Sequence, residues 1–79
     1  MNILLFGITR EIVGQSSLSL PVDASVHTVA DLKAWLGETY PQIKALRSLA
    51  VAIDKEYADD DQRLQPHSEV ALIPPVSGG

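Results

Sequence analysis

The 79-residue sequence contains no cysteine. That excludes a disulfide scaffold, a C-x-x-C metal or redox site and any thiol nucleophile. Basic residues are scarce as well: six Lys and Arg stand against ten Asp and Glu, for a net charge of −4. Aromatics make up only 5% of the chain, so the basic stripe with interleaved aromatics that marks a nucleic-acid binder is missing. No apolar run approaches the ~18 residues of a membrane span. Strand-like sequence starts at Asn2, directly after Met1, which gives the expectation of no targeting leader and a cytoplasmic location. The two histidines, His27 and His67, are forty positions apart, one just before a helix start and one in a turn, so they read as loop residues. Asp59-Asp60-Asp61 has neither the spacing nor the glycine of a calcium loop and reads as a solvated turn. No metal site is expected.

What is present is apolar residue: 46% of the chain, against 20% charged. This is the composition of one small globular domain. A domain of this size buries only about 60% of its unfolded surface, which leaves little room for a catalytic cavity of its own. Five of the ten acids fall between Asp54 and Asp61; Arg10 and Lys55 read as ordinary surface charge before rim contacts for an acidic partner.

The hydrophobic pattern gives the order β-β-α-β-β. Asn2 to Ile8 is a near-continuous apolar strand, and Thr9 to Gly14 a loop with room for a helical turn. Leu18, Leu20 and Val22 alternate with polar residues and Pro21 as an edge strand. Thr28 followed by Asp31 is a helix-start signal, and Val29, Leu32 and Leu36 then fall on one helical stripe, with Trp35 beside it. Pro41 stops that helix near Tyr40. Leu49 to Ile53 is a third strand, Asp54 to Tyr57 a turn, Asp59 to Ser68 a polar loop pinned by Leu64, and Glu69 to Ile73 the last strand. A single helix covers one face of such a sheet and no more. Parity places Leu4, Phe6, Ala50, Ala52, Ala71 and Ile73 on the uncovered face, with Tyr57 flanking it. A one-residue slip in phase would exchange the two faces.

The last strand runs into Pro74-Pro75-Val76-Ser77-Gly78-Gly79. The prolines end the ladder and stiffen the departing chain, and the two glycines remove every side chain from the tip. Residues 75–79, extended, would reach roughly 16 Å at about 3.3 Å per residue. No side chain from Val70 to Gly79 is charged, so the α-carboxylate is the ionised group of that arm. The domain therefore reads as 1–74 and the tail as 75–79.

Three stretches carry a resemblance: Phe6-Gly7-Ile8-Thr9-Arg10-Glu11-Ile12-Val13-Gly14, Val29 to Leu36, and Glu69 to Gly79 with its Pro-Pro-Val-Ser-Gly-Gly ending. With them the chain resembles the ubiquitin-like β-grasp sulfur carriers, and among these the family of small subunits of molybdopterin synthase. Pro66-His67-Ser68-Glu69 departs from the Gly-Asp-Glu common there. The resemblance implies an α+β, ubiquitin-like β-grasp fold: a mixed sheet of four strands, or five, one main helix on one face and a projecting tail.

It further implies a non-catalytic, sulfur-donating subunit. Gly79 would be adenylated with ATP by a ubiquitin-activating-like adenylyltransferase, then converted by a sulfurtransferase to a thiocarboxylate. No cofactor would be held permanently. Pro75, Val76, Ser77 and Gly78 would insert into the large catalytic subunit, in a heterotetramer, where the sulfur would be donated to cyclic pyranopterin monophosphate. Phe6, Tyr57 and Ile73 are the expected partner contacts. Three other readings stay open: a thiamine-pathway carrier, a protein modifier joined through Gly79, and a β-grasp interaction module whose tail is incidental.

Overall fold

The computed structural model describes residues 1–20, 26–46, 49–65 and 67–74. Alternation decides the sheet. In β1 (Asn2–Leu5) and β5 (Val70–Ile73), every second residue is buried, as expected when one face is covered and the other is not. β1 and β5 lie parallel at the centre, with Leu5 opposite Leu72. β2 (Ser17–Ser19) pairs antiparallel outside β1, and β3 (Ala50–Ile53) pairs antiparallel with β5. β4 (Glu56–Ala58) completes the order β2-β1-β5-β3-β4. The sheet has five strands, where Asp54 to Tyr57 reads from sequence as a turn. The loop is shorter than that: Ile53 pairs with Glu56, and only Asp54 and Lys55 make the connection, both at positive φ (51° and 71°). A two-residue hairpin loop of this hand matches the twist of its strands.

The opening strand also ends earlier than its apolar run suggests. Phe6 is the N-cap of α1 (Gly7–Val13). The buried Thr9 hydroxyl donates to the Phe6 carbonyl at 2.6 Å and accepts from the Phe6 N–H at 3.2 Å. These bonds take the backbone groups that a longer strand would have offered to a neighbour. Residues 6–8 therefore turn into a helix.

The main helix, α2 (Val29–Thr39), begins where its capping signal falls. Thr28 Oγ1 accepts from the Asp31 N–H at 3.2 Å, and Asp31 Oδ2 accepts in return from the Thr28 N–H. The N–H groups of Val29 and Ala30, which have no partner inside the helix, donate to the carbonyls of Gln62 and Asp60 in the polar loop. Pro41 ends α2 and starts α3 (Pro41–Lys44) at its first turn, a position where its missing N–H costs nothing. Gly37 is buried beneath that turn, and a Cβ there would lie 3.3 Å from Lys44 Cβ. The glycine admits α3 against α2.

Val29, Leu32 and Leu36 of α2 bury themselves on Ile3, Leu5, Val51, Val70 and Leu72, with Ile43 of α3 closing the end. Among the described residues, the helical cover lies on this one face. Trp35 packs at its border. Leu20 is buried beyond the end of β2; Pro21 and Val22, expected to extend that strand, lie outside the described residues.

Candidate functional site

The uncovered face is a trough, and the register explains its shape. Leu4 stands opposite Ala71, Ala71 opposite Ala52, and Ala52 opposite Tyr57. At about 4.8 Å between strands, that row crosses roughly 14 Å of sheet. The two inner strands contribute methyl groups and the two outer ones large side chains, so the middle is sunk. Tyr57 is 78% exposed, whereas Ala52 on the floor is 9% exposed. The depression has a volume of about 290 Å³. Phe6 and Ile73 wall one end; Lys55 and Glu69 stand at the other.

Pro74, the last described residue, lies beside the walled end. Pro74 follows Ile73 and packs on the start of α1: a Cβ on Gly7, whose φ is +54°, would meet Pro74 Cγ at 3.0 Å. Only glycine combines that backbone with that contact freely. A glycine inside an apolar run signals close backbone approach in the sequence, although nothing there identifies Pro74 as the neighbour.

Phe6, Tyr57 and Ile73, the expected partner contacts, are thus brought together on one surface. Phe6 arrives there as a helix cap and not as part of a strand. Pro75, Val76, Ser77, Gly78 and Gly79 lie outside the described residues. Glu69 was missed as a lining residue, and parity with Ala71 and Ile73 is the signal that finds it.

At the charged end, Asp54 ties the hairpin to β5. Its N–H donates to the Glu69 carbonyl at 2.8 Å, and its Oδ1 accepts from the Glu69 N–H at 2.9 Å. Across the molecule, Lys33 of α2 pairs with Asp60 at 2.8 Å. A larger crevice of about 440 Å³ lies between α2 and α3, over Gly37, Ile43 and Leu49. It is on the helical side, and Lys33, Glu38 and Lys44 are the charged residues of its lining. Among the described residues there is no cluster of three or more potential metal ligands, and no helix is long and apolar enough to cross a membrane. His27 and His67 are both exposed. The trough offers a mainly apolar binding surface, with Lys55, Glu69 and the Tyr57 hydroxyl as the polar groups of its lining.

Residues 3–79 match the model of the ThiS family. The chain is 39% identical to the molybdopterin synthase sulfur carrier subunit of Dictyostelium discoideum, over 99% of its own length and 94% of that protein. It is 35% identical to the subunit of the same name from Arabidopsis thaliana, covering 100% and 82%. Among solved structures, the small archaeal modifier protein 1 of Methanosarcina acetivorans superposes with a TM-score of 0.78 at 25% identity, covering 99% of this chain and 94% of that one.

Proposed function

The chain belongs to the ThiS family, and from that premise we propose that it is the sulfur carrier subunit of a molybdopterin synthase. It serves molybdenum-cofactor biosynthesis as a ubiquitin-like, non-catalytic subunit beside a larger partner. The observation that carries this reading is full-length likeness to named carrier subunits, joined to a largely apolar trough one end of which lies beside Ile73 and Pro74.

The Gly79 carboxylate is the working group. Its oxygen attacks the α-phosphorus of ATP on an adenylyltransferase, pyrophosphate leaves, and a poor electrophile becomes an acyl-adenylate. A persulfide sulfur on a sulfurtransferase attacks the carbonyl carbon and AMP leaves. A second thiol then cleaves the S–S bond, releasing the thiocarboxylate and a disulfide. Sulfur is the softer nucleophile: inside the large subunit it displaces an oxygen from carbon of the cyclic pyranopterin monophosphate, and water then hydrolyses the thioester, leaving the sulfur on the pterin and returning the Gly79 carboxylate. Gly78 and Gly79 carry no Cβ, which suits a narrow channel, while Pro75 stiffens the approach and Val76 and Ser77 follow it in. ATP is consumed by the activating enzyme, and this chain retains no cofactor. Phe6, Tyr57 and Ile73 hold the large subunit while the tail is inserted, in a heterotetramer located in the cytoplasm.

Intact-mass spectrometry tests this directly. Incubated with the adenylyltransferase, ATP and a sulfur source, the chain gains the mass of one sulfur-for-oxygen exchange, and deletion of Gly79 abolishes the gain. Absence of that gain, where a known carrier is charged under the same conditions, overturns the reading. Likeness to an archaeal modifier protein supports a second reading, attachment through Gly79 to lysines of other proteins. Isopeptide-linked adducts in the same spectra would distinguish it.

A further inference from the structure

We propose that Lys55 is a specificity-determining residue of the trough, reading a carboxylate at the end of an apolar segment of the large synthase subunit. The inference rests on the synthase-subunit reading above. Three observations converge on it. The first is conformational. Lys55 occupies the second position of the hairpin loop at φ 71°, where Gly is the favoured residue. A long side chain in the left-handed region is strained, and such outliers persist where something outside local stability retains them.

The second observation is that nothing within the described residues rewards it. The ion pair found there joins Lys33 to Asp60, and Lys55 is exposed with no carboxylate in pairing distance. Asp54 is engaged with the Glu69 N–H. Glu56 stands opposite Ile53, on the side of the sheet away from the trough.

The third is position. Lys55 lines the trough with Glu69, at the end remote from Phe6 and Ile73. Glu69, the residue before β5, and Ile73 at the end of that strand are four residues apart, about 13 Å at 3.3 Å per residue. Between them the floor is alanine, and such a floor lets an apolar segment slide or reverse. Lys55 and Glu69 put charge at one end only: a partner segment whose acidic residue meets Lys55 and stays clear of the Glu69 carboxylate can lie in only one direction. Rim charges of this kind act on association rate and on register more than on dissociation.

The experiment measures association of the full chain with the large synthase subunit from the same genome, at low salt and at about 0.5 M salt, where the Debye length falls to a few ångströms. Lys55→Gly is expected to weaken binding about fivefold at low salt, mostly through slower association, and the gap is expected to close at high salt. Lys55→Glu weakens it further, and Lys55→Arg restores it. Removing the strain leaves the Lys55→Gly melting temperature at or above that of the parent chain. Equal binding by Lys55→Gly, or a loss that persists at high salt and follows a lowered melting temperature, overturns the proposal. Tyr57→Ala separates the two readings. If it weakens binding while Lys55→Gly does not, Lys55 alone loses its role. If the parent chain fails to bind, or Tyr57→Ala binds equally well, the docking reading falls, and this inference with it.

Discussion

Leu4 and Leu5 are neighbours in one strand and meet opposite fates. Leu5 is 2% exposed, packed with Leu72 and Val51 under α2, whereas Leu4 looks out over the trough. The same division runs along β3 and β5. Toward the helix they present Val51, Val70 and Leu72; away from it they present Ala50, Ala52, Ala71 and Ile73. A covered face needs bulk, because a methylene missing from a packed interior leaves a void that nothing fills. The open face uses alanine where a core would use leucine. That choice makes sense if the missing volume belongs to another protein.

Truncation on the covered face produces the largest expected effect. Leu72→Ala leaves a cavity among Leu5, Val51 and α2 and lowers the unfolding free energy by about 3 kcal/mol, measurable by urea denaturation. A loss well below 1 kcal/mol would mean that α2 does not pack on β5 as described.

The open face answers with the reverse pattern. Tyr57 is 78% exposed, so Tyr57→Ala changes stability by no more than about 0.5 kcal/mol. Its removal opens the trough wall, and affinity for the large subunit falls about thirtyfold, the scale of an aromatic hot spot. Titration calorimetry beside a urea curve reads both quantities. A variant that loses stability and keeps affinity would erase the contrast between the faces.

The faces themselves were legible from period-two alternation, because β3 and β5 keep strict parity and their inward residues are the branched ones. The start of α2 was legible too, since Thr28 and Asp31 use their side chains as the T-x-x-D pattern requires. Three elements were obscured by residues that serve two structures equally well. Phe6-Gly7-Ile8 is apolar enough for a strand, and only the tertiary placement of Thr9 and Pro74 makes it a helix start. Pro41 reads as a stop and is also a good first residue for α3. Glu56-Tyr57-Ala58 is too short for periodicity to register, and Asp54-Lys55 lacks the glycine that would announce the hairpin. At the site, parity placed Phe6 and Ile73 on the open face with Tyr57 flanking it from a turn, whereas Phe6 reaches that face as a helix cap and Tyr57 from β4.

The smallest effect falls on what holds the cover in place. Asp31 accepts from the backbone N–H groups of His27 and Thr28 at 3.1 and 3.2 Å. The bond from His27, more than any other, lowers its carboxyl below the ordinary 3.8; desolvation, next in size, opposes it, and the Thr28 backbone and hydroxyl act with the His27 bond to leave the carboxyl depressed. A carboxyl whose folded pKa is depressed stabilises fully above its unfolded pKa, and that contribution disappears as pH falls through the folded value. Asp31→Asn keeps an acceptor and loses the charge. The variant is therefore expected to be less stable than the parent chain at neutral pH, and the two urea curves should converge as pH is lowered from about 5 to about 2. Because every other carboxyl is common to both proteins, the difference isolates this one. The trough is out of contact with the cap, so Tyr57-dependent binding measured at neutral pH should be the same in the variant. Convergence without a change in binding would show that the cap secures α2 over one face and leaves the other untouched; a gap that stays constant with pH would mean that the Asp31 charge contributes nothing to holding the helix.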